Sequence, residues 1–540
     1  MPLPDKDLRW PPAELDALHP AWAEWSAWYS GDPEEIRNVY VNAAPRARSL
    51  GVIPATLNIA RRFFWGESRT DLSKPPERKL HVPVAGDLCQ ASADLLLAEP
   101  PSVTPADDVP ESTRERITAL TGADWHAALI AGAEHAAALG GCYLRVSWDE
   151  DAVPGRPFLT VIDLDAAVPE YRWGRLTALT VWQTLREDGG RVWRHLERHE
   201  LDPDTGEGLI RHGLYEGTAD HLGHLRPLTD HPVTAQVAEN ITDPEGDVIR
   251  TGSPGLAVIP WANVTPNRRW RKHPLGRHVG RSDLDGLIDL LDALDEAYTS
   301  LMRDVRLGKA MLMVPRQMVT SNGPGQGVSF EQNEVYAPIN AAPGAVGDAR
   351  LTVEQVQFAI RVQEHEQTIT LLWNALIRSA GYSAQTFGEG DVTAATATEV
   401  QARERRSALS KGRKSRNLEP ALQEALRKLL AVDAHIFNTG ADPSAEVEIE
   451  LAAGVQEDPQ HLAQTAALLQ SAVAASVETR VKLVNPGKDD EWIEQEVARV
   501  VAQNALELAD PLRVGQDGED LDGSFPVGGP SQTPEGTPLP

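Results

Sequence analysis

The strongest constraint on this chain lies between residues 282 and 416. Two amphipathic helical patterns flank a short β-type insert, and a Gly/Ser-rich hinge then leads into Thr-Ala-Thr-Glu and a strongly basic third helix. In the first pattern Leu284, Leu287, Ile288, Leu291, Leu294, Tyr298, Leu301 and Val305 recur at spacings of three and four, which draws one apolar stripe along an α-helix. Ser282 followed by Asp285 reads as a capping box. Asp283, Asp285 and Asp289 place negative charge at the positive end of the helix dipole, and Arg303, Arg306 and Lys309 sit at the other end. A helix over 283–307 would be a rod of roughly 38 Å. A rod that long with a single apolar stripe needs a neighbour.

The neighbour predicted by the pattern runs from Thr352 to Ala380. It is capped by Thr352 with Gln355 and carries Val353, Val356, Ile360, Ile369, Leu372, Trp373, Leu376 and Ile377. Between the two helices, Ala310–Pro315 and Val335–Pro338 read as short strands separated by the Gly/Pro/Ser stretch around Gly323 to Ser329.

Several stretches, in order, resemble the portal proteins of long-tailed bacteriophages. They are Leu275-Gly-Arg-His-Val-Gly-Arg-Ser-Asp-Leu284 with the helix after it, Gly308-Lys-Ala-Met-Leu-Met-Val-Pro315, and Asp391-Val-Thr-Ala-Ala-Thr-Ala-Thr-Glu399. Val82-Pro-Val-Ala-Gly-Asp87, Ser92–Leu97, Glu99-Pro-Pro101, Asp163–Pro169 and Val455-Gln-Glu-Asp458 agree with it, so the resemblance covers roughly residues 20 to 505. It implies a mixed α+β portal fold with a long α-helical stem, a small β-containing clip, an α+β wing and a helical crown, assembled as a ring. On that plan residues 1–265 hold N-terminal helices and wing, 266–307 a basic lead-in and first stem helix, and 308–350 the clip. Residues 351–382 would be the second stem helix, 383–395 a tunnel loop, 396–440 a long basic helix, 441–508 the crown, and 509–540 a disordered acidic tail.

Composition bounds this expectation. The 540 residues suffice for two to four domains, and Cys89 and Cys142 are too few for a disulfide framework. The first residues lack the basic-then-apolar pattern of a secretory signal, and no apolar run approaches the ~20 residues that span a bilayer. A soluble protein made in a reducing compartment is expected. The formal charge of −28 opposes a conventional DNA-binding surface, whose affinity comes from cations that displace phosphate counterions. A conduit is a different problem, because a mildly acidic lining lets a duplex slide. Self-repulsion in a ring of such chains would have to be offset by local positive patches.

Two basic segments answer that need: Arg268, Arg269, Arg271, Lys272, Arg277 and Arg281 before the first long helix, and Arg403, Arg405, Arg406, Lys411, Arg413, Lys414 and Arg416 in the third. Each reads either as a solvated or salt-bridged helix face, or as a contact for phosphate or the capsid vertex. The Gly-containing stretch 383–395 reads as an exposed loop. By its position in the resemblance it is the tunnel loop, with Gln385, Thr386, Glu389 and Asp391 as transient DNA contacts. Thr396 with Glu399 forms a capping box for the helix that follows, and Pro420 after Asn417 predicts a restart or kink.

Elsewhere Trp22, Trp25 and Trp28 recur at helical spacing as a packing stripe, and residues 141–260 read as mostly β. Their strands are predicted at Cys142–Trp148, Phe158–Leu164, Leu176–Arg186, Val192–Leu201 and Leu209–Tyr215. Turn chemistry at Asp188-Gly-Gly190 and Asp202-Pro-Asp-Thr-Gly206 separates them. A strand at Val447–Leu451 and helices near 458–475 and 489–507 are predicted beyond Gly440.

Enzyme signatures fail. Gly308-Lys309 and Gly487-Lys488 lack the surrounding phosphate loop. His195-Leu-Glu-Arg-His199 lacks the Glu directly after the first His that a zinc-protease helix requires, and Asp202–Gly206 lacks a calcium loop's closing Glu. No cofactor, metal or catalytic residue is expected. The resemblance implies a homo-oligomeric ring, by family a dodecamer, at one vertex of the virion and assembled in the host cytoplasm. Double-stranded DNA would pass through it without sequence-specific binding. The major capsid protein, the large terminase subunit, head-completion or adaptor proteins and a scaffolding protein would be its partners, and no membrane is involved. The alternatives are a metal-dependent nucleic-acid-processing enzyme and an open-assembly scaffolding protein.

Overall fold

The computed structural model describes residues 3–4, 7–40, 79–239, 248–307, 311–315, 320–321, 328–329, 336–339, 354–356, 361–388, 397–452, 459–485, 488 and 490–508. The chain divides into two compact units, residues 1–454 and 455–540. Both helices and sheets contribute to the first, giving a mixed α/β fold.

In the first unit the tryptophan stripe forms helix α1 (His19–Ser30) and is packed inside, with Trp22, Trp25 and Trp28 each at most 2% exposed. It meets Trp270 from the basic lead-in and helix α2 (Val84–Leu97) in one core, joined by Leu284, Leu291, Leu294, Leu376 and Ile377. Strand β1 (Ser102–Pro105) and helices α3 (Glu111–Leu120) and α4 (Ala123–Leu139) follow. Gly140, at φ +98°, ends α4 by turning the chain directly into β2 (Gly141–Ser147).

The β region contains more strands than its pattern predicts. A three-stranded sheet has the order β10-β2-β3, with β3 at Phe158–Asp163 and β10 at Val258–Ala262. A six-stranded antiparallel sheet holds β4 (Ala167–Arg172), β5 (Arg175–Asp188), β6 (Arg191–Leu201), β7 (Glu207–Gly217) and β8 (His224–Arg226) in order, with β9 (Val248–Pro254) also on β7. Helix α5 (Pro232–Glu239) lies between β8 and β9 in sequence. Both predicted turns are present. Gly189 and Gly190 take positive φ between Asp188 and its partner Arg191, and Asp202 accepts the amides of Asp204 and Thr205.

The helical pair differs from its predicted bounds. Helix α6 is Ile288–Leu307, because residues 283–287 form turns with Gly286 at φ +83°. Ser282 is no capping residue for it: its hydroxyl donates to the Ala138 carbonyl and accepts the Leu284 amide at 3.0 Å. Helix α7 is Val362–Ala380, ten residues shorter at its start than the pattern implies. Glu354–Val356 is instead a strand, β15, antiparallel to β11 (Met311–Pro315), whose other edge pairs parallel with β14 (Tyr336–Ile339). A two-stranded pair, β12 (Thr320–Ser321) with β13 (Val328–Ser329), completes the described insert. Arg361 and His365 at the start of α7 bind Asp304 near the end of α6, whereas Tyr382 beyond α7 binds Asp283 ahead of α6. The two helices are therefore antiparallel.

Helix α8 runs unbroken over Ala397–Ile436 with Pro420 inside it, so the predicted restart does not occur. Its length is ~60 Å at 1.5 Å per residue. Leu418, Leu422, Leu426 and Leu429 bury it against Trp125, Leu144, Val146 and Trp261 in a second core. Asn417 does not cap; its amide donates to the Asn263 carbonyl at 3.2 Å. Strand β16 (Val447–Glu450) returns to pair with β1 and so belongs to the first unit rather than with the helices after it.

The second unit contains α9 (Pro459–Ser471), α10 (Val477–Val484) and α11 (Asp490–Leu508), of which the middle helix was not predicted. Among the described residues no helix is long and apolar enough to cross a membrane. The predicted tail 509–540 and the Thr352 and Thr396 capping boxes lie outside the described residues.

Candidate functional site

The two basic segments converge in space. Asn263 and Thr265, at the end of β10, reach Asn417 of α8, which brings the lead-in 266–281 alongside residues 413–417. Arg281 is half-buried, and its guanidinium is easier to deprotonate than usual, through burial first and then repulsion from Arg268 and Arg413; Asp283 and Asp285 oppose the shift. A cationic junction of Arg268, Arg281 and Arg413 thus joins segments that are separate in the sequence.

The other cations divide into two groups. Arg269 is bound to Asp285 at 3.2 Å and lies over the Trp25 ring, 5.5 Å from its centroid. Arg277 donates to His278, Arg416 donates to the Gly412 carbonyl within its own helix, and Lys411 donates to the Ala452 carbonyl while burial lowers its pKa. Lys414 is buried. Its ammonium reaches Asp283, Ser92 and the Tyr382 hydroxyl, and the Tyr382 phenol is pushed well above its ordinary pKa by burial and the Asp283 charge. Arg271, Lys272, Arg405 and Arg406 are exposed, as are Arg268 and Arg413 of the junction, with no anionic side chain bound to any of them among the described residues. Arg403 lies on α8 with its side chain outside the description.

The tunnel-loop residues are only partly described. Ala384–Phe387 is a 3-10 turn, not an open loop, and its neighbours are the chain's own helices. The Thr386 hydroxyl is 2.7 Å from that of Ser407 on α8 and 3.1 Å from that of Ser383. Phe387 packs edge-on to Trp373 and Tyr382, and Gln385 is half-buried. Glu389 and Asp391 lie outside the described residues.

The histidines considered for a metal lie on β6, where alternation puts His195, Glu197 and His199 on one face. Glu197 bonds His199 at 2.7 Å and Arg145 of β2 at 2.7 Å, and His195 meets His212 of β7 at 3.0 Å. Burial and the neighbouring cationic groups hold these side chains in opposite states: the Glu197 carboxyl is kept well below its usual pKa mainly by Arg145 against the cost of burial, and burial lowers His212 to about 4. Among the described residues no group of three or more His, Cys, Asp or Glu is arranged to hold a metal ion. The cluster is an internal brace between β2 and the six-stranded sheet.

Residues 251–506 match the family described as phage portal protein, SPP1 Gp6-like. That segment belongs to the portal family. It contains both basic segments, the antiparallel helices α6 and α7, the turn at 384–387 and helix α8. The portal resemblance read from the sequence therefore holds over that segment. A solved structure described as "Neck of empty GTA particle computed with C6 symmetry" matches with a TM-score of 0.38 and 14% identity, over 74% of this chain and 90% of that one; a likeness that loose bears on nothing further. No curated protein matches.

Sequence reasoning missed the Ser92–Asp283–Tyr382–Lys414 network, because its members come from four distant segments and Lys414 is hidden in a basic run. The His195–Glu197–His199 face was legible once the strand was assigned. Its partners Arg145 and His212 were not.

Proposed function

We propose that this chain is the subunit of a ring at one vertex of a phage or phage-like capsid, through which double-stranded DNA is packaged and ejected. The observation that carries the reading is the portal-family match over the segment that contains the helical pair. In this reading α6 and α7 line or support the channel, the insert 308–350 offers a docking surface to terminase and later to head-completion proteins, and the β-rich region contacts the major capsid protein. Function is then geometric, with energy supplied by a separate motor and no chemistry on this chain.

Two observations support this reading, one for self-assembly and one for DNA contact. Met302 and Val305 on α6, Val362 and Leu371 on α7 and Leu409 on α8 leave apolar side chains in water, with Leu371 72% exposed. Apolar residues on helices that already have one buried face suit contact with a neighbouring subunit. The cationic junction of Arg268, Arg281 and Arg413 is suited to a small number of phosphate contacts, while the net charge of −28 keeps the rest of the surface from gripping the duplex.

Electron microscopy of the purified chain tests this directly. Closed rings with an axial hole wide enough for duplex DNA are expected. Monomers that cleave DNA or hydrolyse ATP, or open filaments, would overturn it.

A further inference from the structure

The hairpin joining β4 to β5 carries an unexpected residue at its tip. Arg172 pairs directly with Arg175, so the loop is the two residues Trp173 and Gly174, at φ +52° and +78°. Positive φ at both positions is the type I′ turn that Asn-Gly fills best; a bulky side chain at the first position is an outlier. Trp173 is also 97% exposed, among the largest apolar exposures in the chain. On either side, Arg172 and Arg175 are exposed, face each other as like charges across the pair, and have no bound partner among the described residues.

Three local choices are thus unfavourable together at one tip: a bulky residue in the left-handed region, a large apolar ring in water, and two opposed cations. Local rules broken together without a local compensation point to a contact outside the subunit. The tip is also held at a fixed place. Tyr171 stacks on His278 with ring centroids 4.3 Å apart, and Arg277 lies next to that histidine, whose pKa is lowered by burial and by the Arg277 charge. The hairpin therefore stands beside the basic lead-in and adds two arginines and an indole to its rim.

We infer that the Arg172-Trp173-Gly174-Arg175 tip is a contact that docks on an acidic surface of a second copy of this chain. Trp and Arg are the residue types that dominate binding energy at protein interfaces. A chain with 79 acidic against 51 basic residues offers an excess of carboxylates, which two flanking arginines complement. Duplex DNA would use the arginines but not the indole, because its bases are stacked inside and only unstacked bases offer a ring a face to stack on. The inference deepens the ring proposed above, yet the contact itself does not require the ring to close.

The test uses the full chain and two changes at one position. Trp173→Asn installs Asn-Gly, the preferred type I′ pair, so the hairpin should fold at least as well as the parent. Native mass spectrometry over a dilution series should show self-association at least about tenfold weaker, with an unchanged or higher Tm. Replacing Trp173 with p-benzoylphenylalanine and irradiating should yield a covalent adduct between two copies, mapped to a peptide rich in Asp and Glu. Unaltered self-association of Trp173→Asn overturns the inference, as does an adduct to nucleic acid, to a different protein, or no adduct between chains. Rings that persist unchanged in Trp173→Asn would remove the contact and leave the portal reading standing. Adducts between copies that never close into rings would do the reverse.

Discussion

Lys414, near the middle of α8, forms an ion pair with Asp283 ahead of α6, and the two side chains are only 4% and 5% exposed. The pair is fully dressed. Asp283 accepts from the Tyr382 hydroxyl at 2.8 Å and from the Asn263 amide at 2.9 Å, and the Lys414 ammonium also reaches Ser92. Four segments of the first unit, from α2, the approach to α6, the end of α7 and α8, meet at this one point. A charge that had been grouped with a surface patch is therefore a rivet between the two long helices and the helical core.

Truncating one partner should reveal that. Lys414→Met leaves the Asp283 carboxylate buried without its counter-charge, which typically costs ~3–5 kcal/mol, whereas replacing both partners by apolar residues can be nearly neutral. The denaturation midpoint of Lys414→Met is expected to fall sharply, and that of Asp283→Leu combined with Lys414→Met to recover a large part of the loss. A single variant within about 1 kcal/mol of the parent would show that the pair holds nothing.

Two glycines set how closely the lead-in can approach α4. A Cβ added to Gly140 or to Gly280 would fall on the carbonyl oxygen of the other, and the Gly140 carbonyl also receives the Asn263 amide at 3.0 Å. Alanine at either position must push the backbones apart, at ~1–3 kcal/mol for the strain and more if the Asn263 bond is lost. Gly412 on α8 is the control: a Cβ there meets nothing within 4 Å, so Gly412→Ala should stabilise by ~0.5–1 kcal/mol. Thermal unfolding of the three variants checks the contrast, and equal losses at all three would refute the close-approach account.

These contacts also show what the sequence could reveal. The stripes of Trp22–Trp28 and Ile288–Leu301 were legible because helical periodicity reports which face is buried. The ends of the long helices were not. Ser282 has a capping residue's chemistry, but its hydroxyl is taken by the Ala138 carbonyl of another helix. Val353 and Val356 fit a helical stripe, but residues 354–356 pair with β11, and a tertiary partner outweighs local periodicity. Pro420 removes one backbone donor and should break an isolated helix. Within α8 it is flanked by Leu418, Ala421 and Leu422, all buried, and that packing keeps the helix continuous. Lys414 could not be told from its basic neighbours because Asp283 lies 131 residues away.

The β6–β7 face should make the protein acid-sensitive. His212 is lowered to about 4 by burial, with His195, His199 and Arg145 adding repulsion and Glu197 opposing them; His195 is lowered too, by burial first. An unfolded histidine titrates near 6.5. Between about pH 6.5 and 4 the unfolded chain therefore binds the proton that folded His212 refuses, and stability falls as pH falls through that window. The loss from His212 alone amounts to ~3 kcal/mol by pH 4, from ~1.4 kcal/mol per pKa unit. His212→Gln should flatten the dependence of Tm on pH between 6.5 and 4. An unaltered slope would place the sensitivity elsewhere.

The cationic junction separates a role in handling DNA from a role in folding. Arg268 and Arg413 are exposed and repel the half-buried Arg281, so neither contributes much to holding the fold together. Arg268→Glu and Arg413→Glu should leave the chain's unfolding midpoint within about 0.5 kcal/mol of the parent, as surface changes usually do. If Arg281 and its neighbours meet the phosphates of passing DNA, each reversal replaces an attraction with a repulsion. Packaged DNA per particle should then drop, with a deficit that shrinks as salt screens the contact. Lys414→Met provides the opposite signature, loss of the folded chain with no selective effect on DNA. Reversals at Arg268 and Arg413 that assemble and package like the parent at low and high salt would assign this junction to a solvated surface.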